Sequence, residues 1–233
     1  MATTGNTTRT APVNGIELGY QIFGKGQPLI LLHGGFGSVE MFGPNVGALA
    51  DGRQVIGVDL QSHGRTPVAN RPMRFETMAD DIAALIRHLG VAKANVMGFS
   101  LGGGVALRTG IQHPDVVDRL VLVSTPFRSD GWYPEMRAAM KSMGPEVAEP
   151  MKQSPMYEGY KQVAPKVEDW PVLVTQLTEL LKLDYDWTDE ARGLSMPVLI
   201  VAGTPTACRL ATRSSASRSS AAGSGTPAGI DRG

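Results

Sequence analysis

Residues 94–107 read ANVMGFSLGGGVAL, and this stretch decides the fold. Its first half is an apolar run of strand length. Its second half is rich in glycine and leads into LGGGVALRTGIQ, a helix-like segment that ends before Pro114. Gly98-Phe99-Ser100-Leu101-Gly102 is therefore a Gly-x-Ser-x-Gly motif lying between a strand and a helix, the setting of a nucleophile elbow. Without that setting the motif would read as a turn of small residues. A serine on so sharp a turn takes strained backbone angles, so Gly98 and Gly102 have to be small. The strain pushes the hydroxyl out at the top of the sheet, beside a helix N-terminus that favours developing negative charge. Ser100 is the candidate catalytic nucleophile.

The same grammar extends outward in both directions. VNGIELGYQIFG (13–24) alternates apolar and polar residues around turn-formers, as an antiparallel hairpin does. PLILLHG, RQVIGVDL, DRLVLVST and MPVLIVAG are apolar runs of strand length, the last reading as a buried strand that enters a tight turn at Gly203. In RFETMADDIAALIRHLG, Phe75, Met78, Ile82, Leu85, Ile86 and Leu89 share one helical face, and Gly90 stands where a left-handed C-terminal cap is expected. Buried strands alternating with helices predict an α/β fold, a mostly parallel sheet covered on both faces. Ligands of such sheets collect at the C-terminal strand ends, which here are His33-Gly34, Asp59, Ser100, Thr125 and Gly203.

Two of those ends carry further signals. In LLHGGFGS (31–38) the His-Gly pair lets the backbone turn and aim an N–H at an oxyanion. Gly35 is the first candidate donor and Phe36 the second, with Leu101, the residue after the nucleophile, supplying the other N–H. His33 is read as a brace for this loop rather than a base. VDLQSHGRT (58–66) is similar to an Asp-x-x-Gly-x-Gly-x-Ser turn, with Ser62 in place of glycine and Thr66 in place of serine; His63 is assigned to its structure.

Together these three motifs resemble the α/β-hydrolase superfamily, in the lidded branch with cofactor-free haloperoxidase-like esterases and proline iminopeptidase-like enzymes. The resemblance covers about residues 13–202. It implies an N-terminal hydrolase core over 1–125, a helical lid over 126–195 and a core strand over 196–202. The proposed lid holds Trp132, Trp170 and Trp187, four of the five tyrosines and five of the eleven methionines, a composition suited to an apolar pocket. For any one of these aromatics, plain packing is the preferred reading. The implied chemistry is serine attack on an ester-like carbonyl, a tetrahedral intermediate held by backbone N–H groups, and hydrolysis of the acyl-enzyme. The substrate expected is a small apolar ester or related acyl compound. The alternatives are an inactive fragment or ligand-binding pseudo-hydrolase, and cofactor-free haloperoxidation.

The resemblance also implies a triad in chain order Ser, acid, His. The four histidines are His33, His63, His88 and His113, so none follows the last strand, and no triad acid or histidine is identifiable. Asp130, beyond the end of DRLVLVST, is a weak substitute for the acid. The place of the acid is held by Gly203-Thr204-Pro205-Thr206. Regrouping the Thr-Pro-Thr codons one base out of step, with G at the wobble position, gives Asp-Ala-Asp. The Ser/Ala/Arg bias from about residue 203 therefore reads as a reading-frame change, the last strand and helix of the fold being missing. Residues 203–233 hold only Leu210 and Ile230 as large aliphatics, and disorder is expected there.

Composition sets outer limits. Of 233 residues, 42% are hydrophobic and 19% charged, as in ordinary globular proteins. Residues 1–202 carry 18 basic and 21 acidic groups, and residues 203–233 four arginines and one acid. That dilute basic segment is too weak to imply a nucleic-acid partner. No apolar run reaches the ~20 residues that cross a bilayer, so no membrane partner is expected. Cys208 is the single cysteine, which rules out an internal disulfide, and a cytoplasmic location is expected. No His/Cys/Asp cluster has metal-ligand spacing and GFSLGGG lacks the Lys-Ser/Thr of a phosphate loop, so no metal or other cofactor is expected. Oligomeric state leaves no mark in the sequence.

Overall fold

A computed structural model describes residues 7–202. The chain opens with a hairpin in which β1 (Thr7–Val13) and β2 (Ile16–Gly24) pair antiparallel. Asn14 and Gly15 between them have φ of 45° and 81°, the left-handed pair whose twist suits a two-residue hairpin turn. There follow β3 (Gln27–Leu32), α1 (Asn45–Leu49), β4 (Arg53–Val58), α2 (Phe75–His88), β5 (Ala94–Phe99), α3 (Leu101–Gln112) and β6 (Val117–Val123). Residues 126–195 then carry α4 (Pro134–Ser142), α5 (Pro155–Val163), α6 (Trp170–Lys182) and α7 (Thr188–Arg192) before β7 (Val198–Val201). The sheet order is β1-β2-β4-β3-β5-β6-β7, parallel from β4 to β7 and antiparallel at the hairpin end.

The apolar runs become strands because both faces can be filled. On β3, Ile30 and Leu32 face the large core with Ile82, Leu85, Ile86 and Val105, while Leu29 and Leu31 face a smaller one with Val46 and Val55 beneath α1. Burying each such side chain stabilises the fold by about 1.5–3 kcal/mol. On α2, Met78, Ile82, Leu85 and Ile86 are buried as the periodicity requires. Gly90 (φ 69°) closes the helix, with its N–H bonded to the Arg87 carbonyl and that of Val91 to the Ile86 carbonyl. This is a Schellman cap, and glycine is the residue that enters it without strain.

The helices inserted between β6 and β7 add their buried side chains to the large core. Trp170 is fully buried, packs against Tyr157 and Tyr160, and donates from its indole to the Ala148 carbonyl at 2.9 Å. Its ring also lies 5.8 Å from that of Phe36, which ties the insert to the loop after β3. Tyr185 and Trp187 stack on one another and meet Phe75 of α2 edge-on.

The last strand differs from expectation. β7 pairs with β6, and Val198, Leu199, Ile200 and Val201 are 39–58% exposed rather than buried. An unbroken apolar run signals a strand flanked on every side, but among the described residues β7 ends the sheet. The readings made on Gly203 and on residues 203–233, the frame change and the disorder included, lie outside the described residues. No helix among the described residues is long and apolar enough to cross a membrane. The exposure gives a direct check by urea unfolding. Leu199→Lys should leave stability within about 0.5 kcal/mol, whereas Ile30→Ala, at a fully buried position, should cost about 2–5 kcal/mol. Equal losses would mean that the face of β7 is covered.

Candidate active site

The link between β5 and α3 is a close backbone contact. A Cβ on Gly102 would lie 2.5 Å from the His33 carbonyl oxygen, and one on Gly103 would lie 2.6 Å from Thr125 Cγ2. A Cβ on Gly98 would overlap the Gly102 carbonyl and approach the Gly103 nitrogen to 2.6 Å. With these three positions bare, α3 starts hard against β3 and β5, and Ser100 takes the turn at φ 52°, ψ −113°. That conformation is sparsely populated for a residue with a Cβ and persists only where its surroundings enforce it. The enforcing bonds are Ser100 N–H to the Val123 carbonyl at 2.9 Å and Gly102 N–H to the His33 carbonyl at 3.0 Å. The Ser100 hydroxyl makes no capping bond to its own helix. Leu101 opens α3, where a backbone N–H has no intrahelical acceptor.

The loops after β3 and β4 hold each other through two histidines. His33 donates from Nδ1 to the Gly34 carbonyl at 2.7 Å, and its Nε2 accepts the Leu60 N–H at 3.0 Å. His63 donates from Nδ1 to the Gln61 carbonyl at 2.8 Å, and its Nε2 accepts the Phe36 N–H at 3.2 Å. Each ring thus comes from one loop and receives an amide from the other, with ring centroids 5.1 Å apart. Both are fully buried, and burial lowers His33 to about pKa 4. Burial, aided by the neighbouring His33, lowers His63 to about 3. Both stay neutral, as accepting at Nε2 requires. Beside them, Asp59 receives Val39 N–H at 2.8 Å, Arg65 N–H at 3.0 Å and the Arg65 guanidinium. Burial pushes its carboxyl up against the pull of Arg65. Thr66 bridges the Asp59 carbonyl and the Gly19 N–H.

Ser100, Leu101, Gly35, Phe36 and Thr125 share one cavity of about 180 Å³, roofed by Met136, Met140, Leu177 and Leu181. Its lining contains no histidine, aspartate or glutamate among the described residues. Gly35 stands under the roof, where a Cβ would lie 3.1 Å from Leu177 Cδ2. Trp132 lines the cavity, whereas Trp170 and Trp187 serve packing. Arg137 also reaches it, but its guanidinium is engaged by the Leu181 and Leu183 carbonyls and by Asp184. Asp130 is exposed, ion-paired with Arg128, and lines a different depression, with Asp184 and Asp186. His88 is exposed at the end of α2, and His113 bonds Asp80 at 2.7 Å. No group of three or more potential metal ligands occurs among the described residues.

A family model of the alpha/beta hydrolase fold matches residues 27–156, from β3 through the elbow into the helical insert. The chain belongs to the α/β-hydrolase family. An sn-1-specific diacylglycerol lipase of Danio rerio is 39% identical over 124 residues, covering 51% of this chain and 38% of that protein. The chain spans less than half the length of the curated relatives it matches. Among solved structures, a thermophilic esterase of Thermogutta terrifontis, with malate bound, is 27% identical at a TM-score of 0.66, covering 89% of this chain and 83% of its own. The enol-lactonase of Burkholderia xenovorans is 25% identical at a TM-score of 0.64, covering 84% and 81%. These are hydrolase relatives with α/β-hydrolase architecture, and the elbow and the two interlocked loops fall inside the matched region.

Two consequences are measurable. Gly102→Ala would force a Cβ into the β3 backbone and should abolish folding or lower the urea midpoint sharply, while Gly159→Ala, in open space on α5, should stabilise by about 0.5–1 kcal/mol. The histidine pair gives a pH signature. An unfolded histidine takes a proton below about 6.5 and these folded ones do not, so stability is complete above that pH and falls as the pH drops toward 4 and 3. Near pH 5 two such groups give a slope of up to about 2.7 kcal/mol per pH unit. The urea midpoint should fall between pH 7 and 5, and less steeply for His33→Gln/His63→Gln. A flat wild-type profile would contradict the neutral assignment.

Proposed function

We infer that the chain is a serine acyl hydrolase that forms an acyl-enzyme on Ser100 from a small apolar ester or related acyl compound. The observation that carries this reading is the strained, uncapped Ser100 hydroxyl at the floor of an apolar cavity, at a helix N-terminus. Serine attack on an ester carbonyl puts negative charge on the carbonyl oxygen. The backbone N–H of Leu101 and that of Gly35 are the donors for it; the Phe36 N–H is already given to His63, so Phe36 drops to a supporting role. The methionines and leucines of residues 126–195, acting as a lid, would hold the apolar part of the substrate and exclude water.

The placement of the histidines limits the rate. His33 and His63 are buried neutral braces, His88 is exposed, and His113 is bonded to Asp80. None lines the cavity, so no histidine of the described site takes the proton from Ser100. An oxyanion hole and binding without the rest of a triad still give roughly 10³–10⁴-fold acceleration over water. The same placement favours a second reading, a pseudo-hydrolase that binds acyl compounds without turning them over.

An alkyl fluorophosphonate and a chromogenic short-chain ester separate the two. Slow labelling that maps to Ser100 is expected, with ester turnover detectable, and Ser100→Ala should abolish both while the ligand still binds. Folded protein that binds the ester but is never labelled would support the pseudo-hydrolase instead.

A further inference from the structure

Ser62 lies in the loop after β4, fully buried, with φ of 62°. That backbone region favours glycine, and a Cβ there is strained. What the serine adds is its hydroxyl, which donates to Gln176 Oε1 on α6 at 2.7 Å and accepts the Ala69 N–H at 3.3 Å. The Gln176 amide in turn donates to the Ala69 carbonyl at 2.9 Å and the Arg71 carbonyl at 3.4 Å. Other α6 side chains bond within the insert: Trp170 to Ala148, Thr175 to Pro171 and Thr178 to Thr175. Among the described residues, Gln176 is therefore the only polar side-chain tie from α6 to the sheet half of the molecule.

The rest of α6 is held in the large core by buried Leu173, Val174, Leu177 and Leu180, and apolar contacts of this kind have no direction and permit sliding. A hydrogen bond fixes position. Leu177, the next residue after Gln176, is the one that presses on Gly35 and roofs the cavity over Ser100. Leu181, one turn on, lines the same roof.

We propose that Ser62 and Gln176 form a latch that fixes α6 over Ser100 and sets the width of the acyl cavity, which makes Ser62 a specificity-determining residue. The latch rests on the acyl-hydrolase reading for its effect on substrate, and on geometry alone for its effect on α6. The strained backbone at position 62 is tolerated because the hydroxyl is needed. Glycine there would relax the loop and loosen the helix, leaving Gln176 held by the Ala69 and Arg71 carbonyls alone.

The test is the rate of Ser100 labelling by two fluorophosphonates, one with a short and one with a long branched alkyl group. It compares wild type, Ser62→Gly, Ser62→Ala, Gln176→Leu and the Ser62→Ala/Gln176→Leu double variant. Each single variant should raise the long-to-short rate ratio, Gln176→Leu by about fivefold or more, and the double variant should go no further than Gln176→Leu, which already removes the shared bond. Because Ser62→Gly removes backbone strain, it keeps the test usable if Ser62→Ala folds poorly. A ratio unchanged within about twofold, or effects that add, would overturn the proposal. If wild-type protein is not labelled, the acyl reading falls, and the latch is decided by amide exchange over residues 173–181. Exchange about tenfold faster in Ser62→Gly supports it, and unchanged exchange overturns it.

Discussion

The constraint on which the rest of this structure depends is steric: the first turn of α3 is wedged against the backbones of β3 and β5. Gly98 and Gly102 leave no room for a side chain where the three elements meet main chain to main chain, and Gly103 leaves none beside the Thr125 side chain. Ser100 is the residue caught at the fold of that contact, and its left-handed geometry follows from it. The Gly102 N–H bonded to the His33 carbonyl passes the constraint on to the loop after β3. The cavity, its roof and the candidate oxyanion donors are all placed relative to this one junction.

From there order spreads through polar ties rather than through more core. His33 and His63 exchange amides between two loops, and each must be neutral to accept one. Asp59 gathers two further amides and Arg65, so the loop after β4 is held from both ends. These two histidines are thus committed to architecture. Among the described residues, the cavity beside Ser100 has backbone amides and apolar side chains in its lining and no histidine.

Much of this was legible because it is local. A glycine on either side of a serine, between a strand pattern and a helix pattern, has few physical explanations, and the Asn-Gly hairpin and Gly90 cap are of the same kind. The brace role of His33 and His63 could be read from their turns, but the exchange of amides could not, because it joins positions 27 residues apart. The exposure of β7 was legible only from the expectation that the last strand and helix of the fold are missing. Val198–Val201 has the composition of a buried strand, but composition does not say whether a neighbour stands on the far side. Ser62 was noticeable only as a departure from glycine, and its partner Gln176 lies 114 residues away on a helix whose pattern reports its apolar face alone.

The central claim is that Ser100, Leu101 and Gly35 form one acyl-transfer site beneath the roof of Met136, Met140, Leu177 and Leu181. A crystal structure of the chain soaked with a hexylboronic acid tests it most directly, since boron adds to a serine oxygen and mimics the tetrahedral intermediate. The account predicts a covalent bond from Ser100 Oγ to boron, one boronate oxygen within hydrogen-bond distance of the Leu101 and Gly35 amides, and the alkyl chain under the roof. A boronate bound away from Ser100, or bonded to it with its oxygen turned from both amides, would contradict the account.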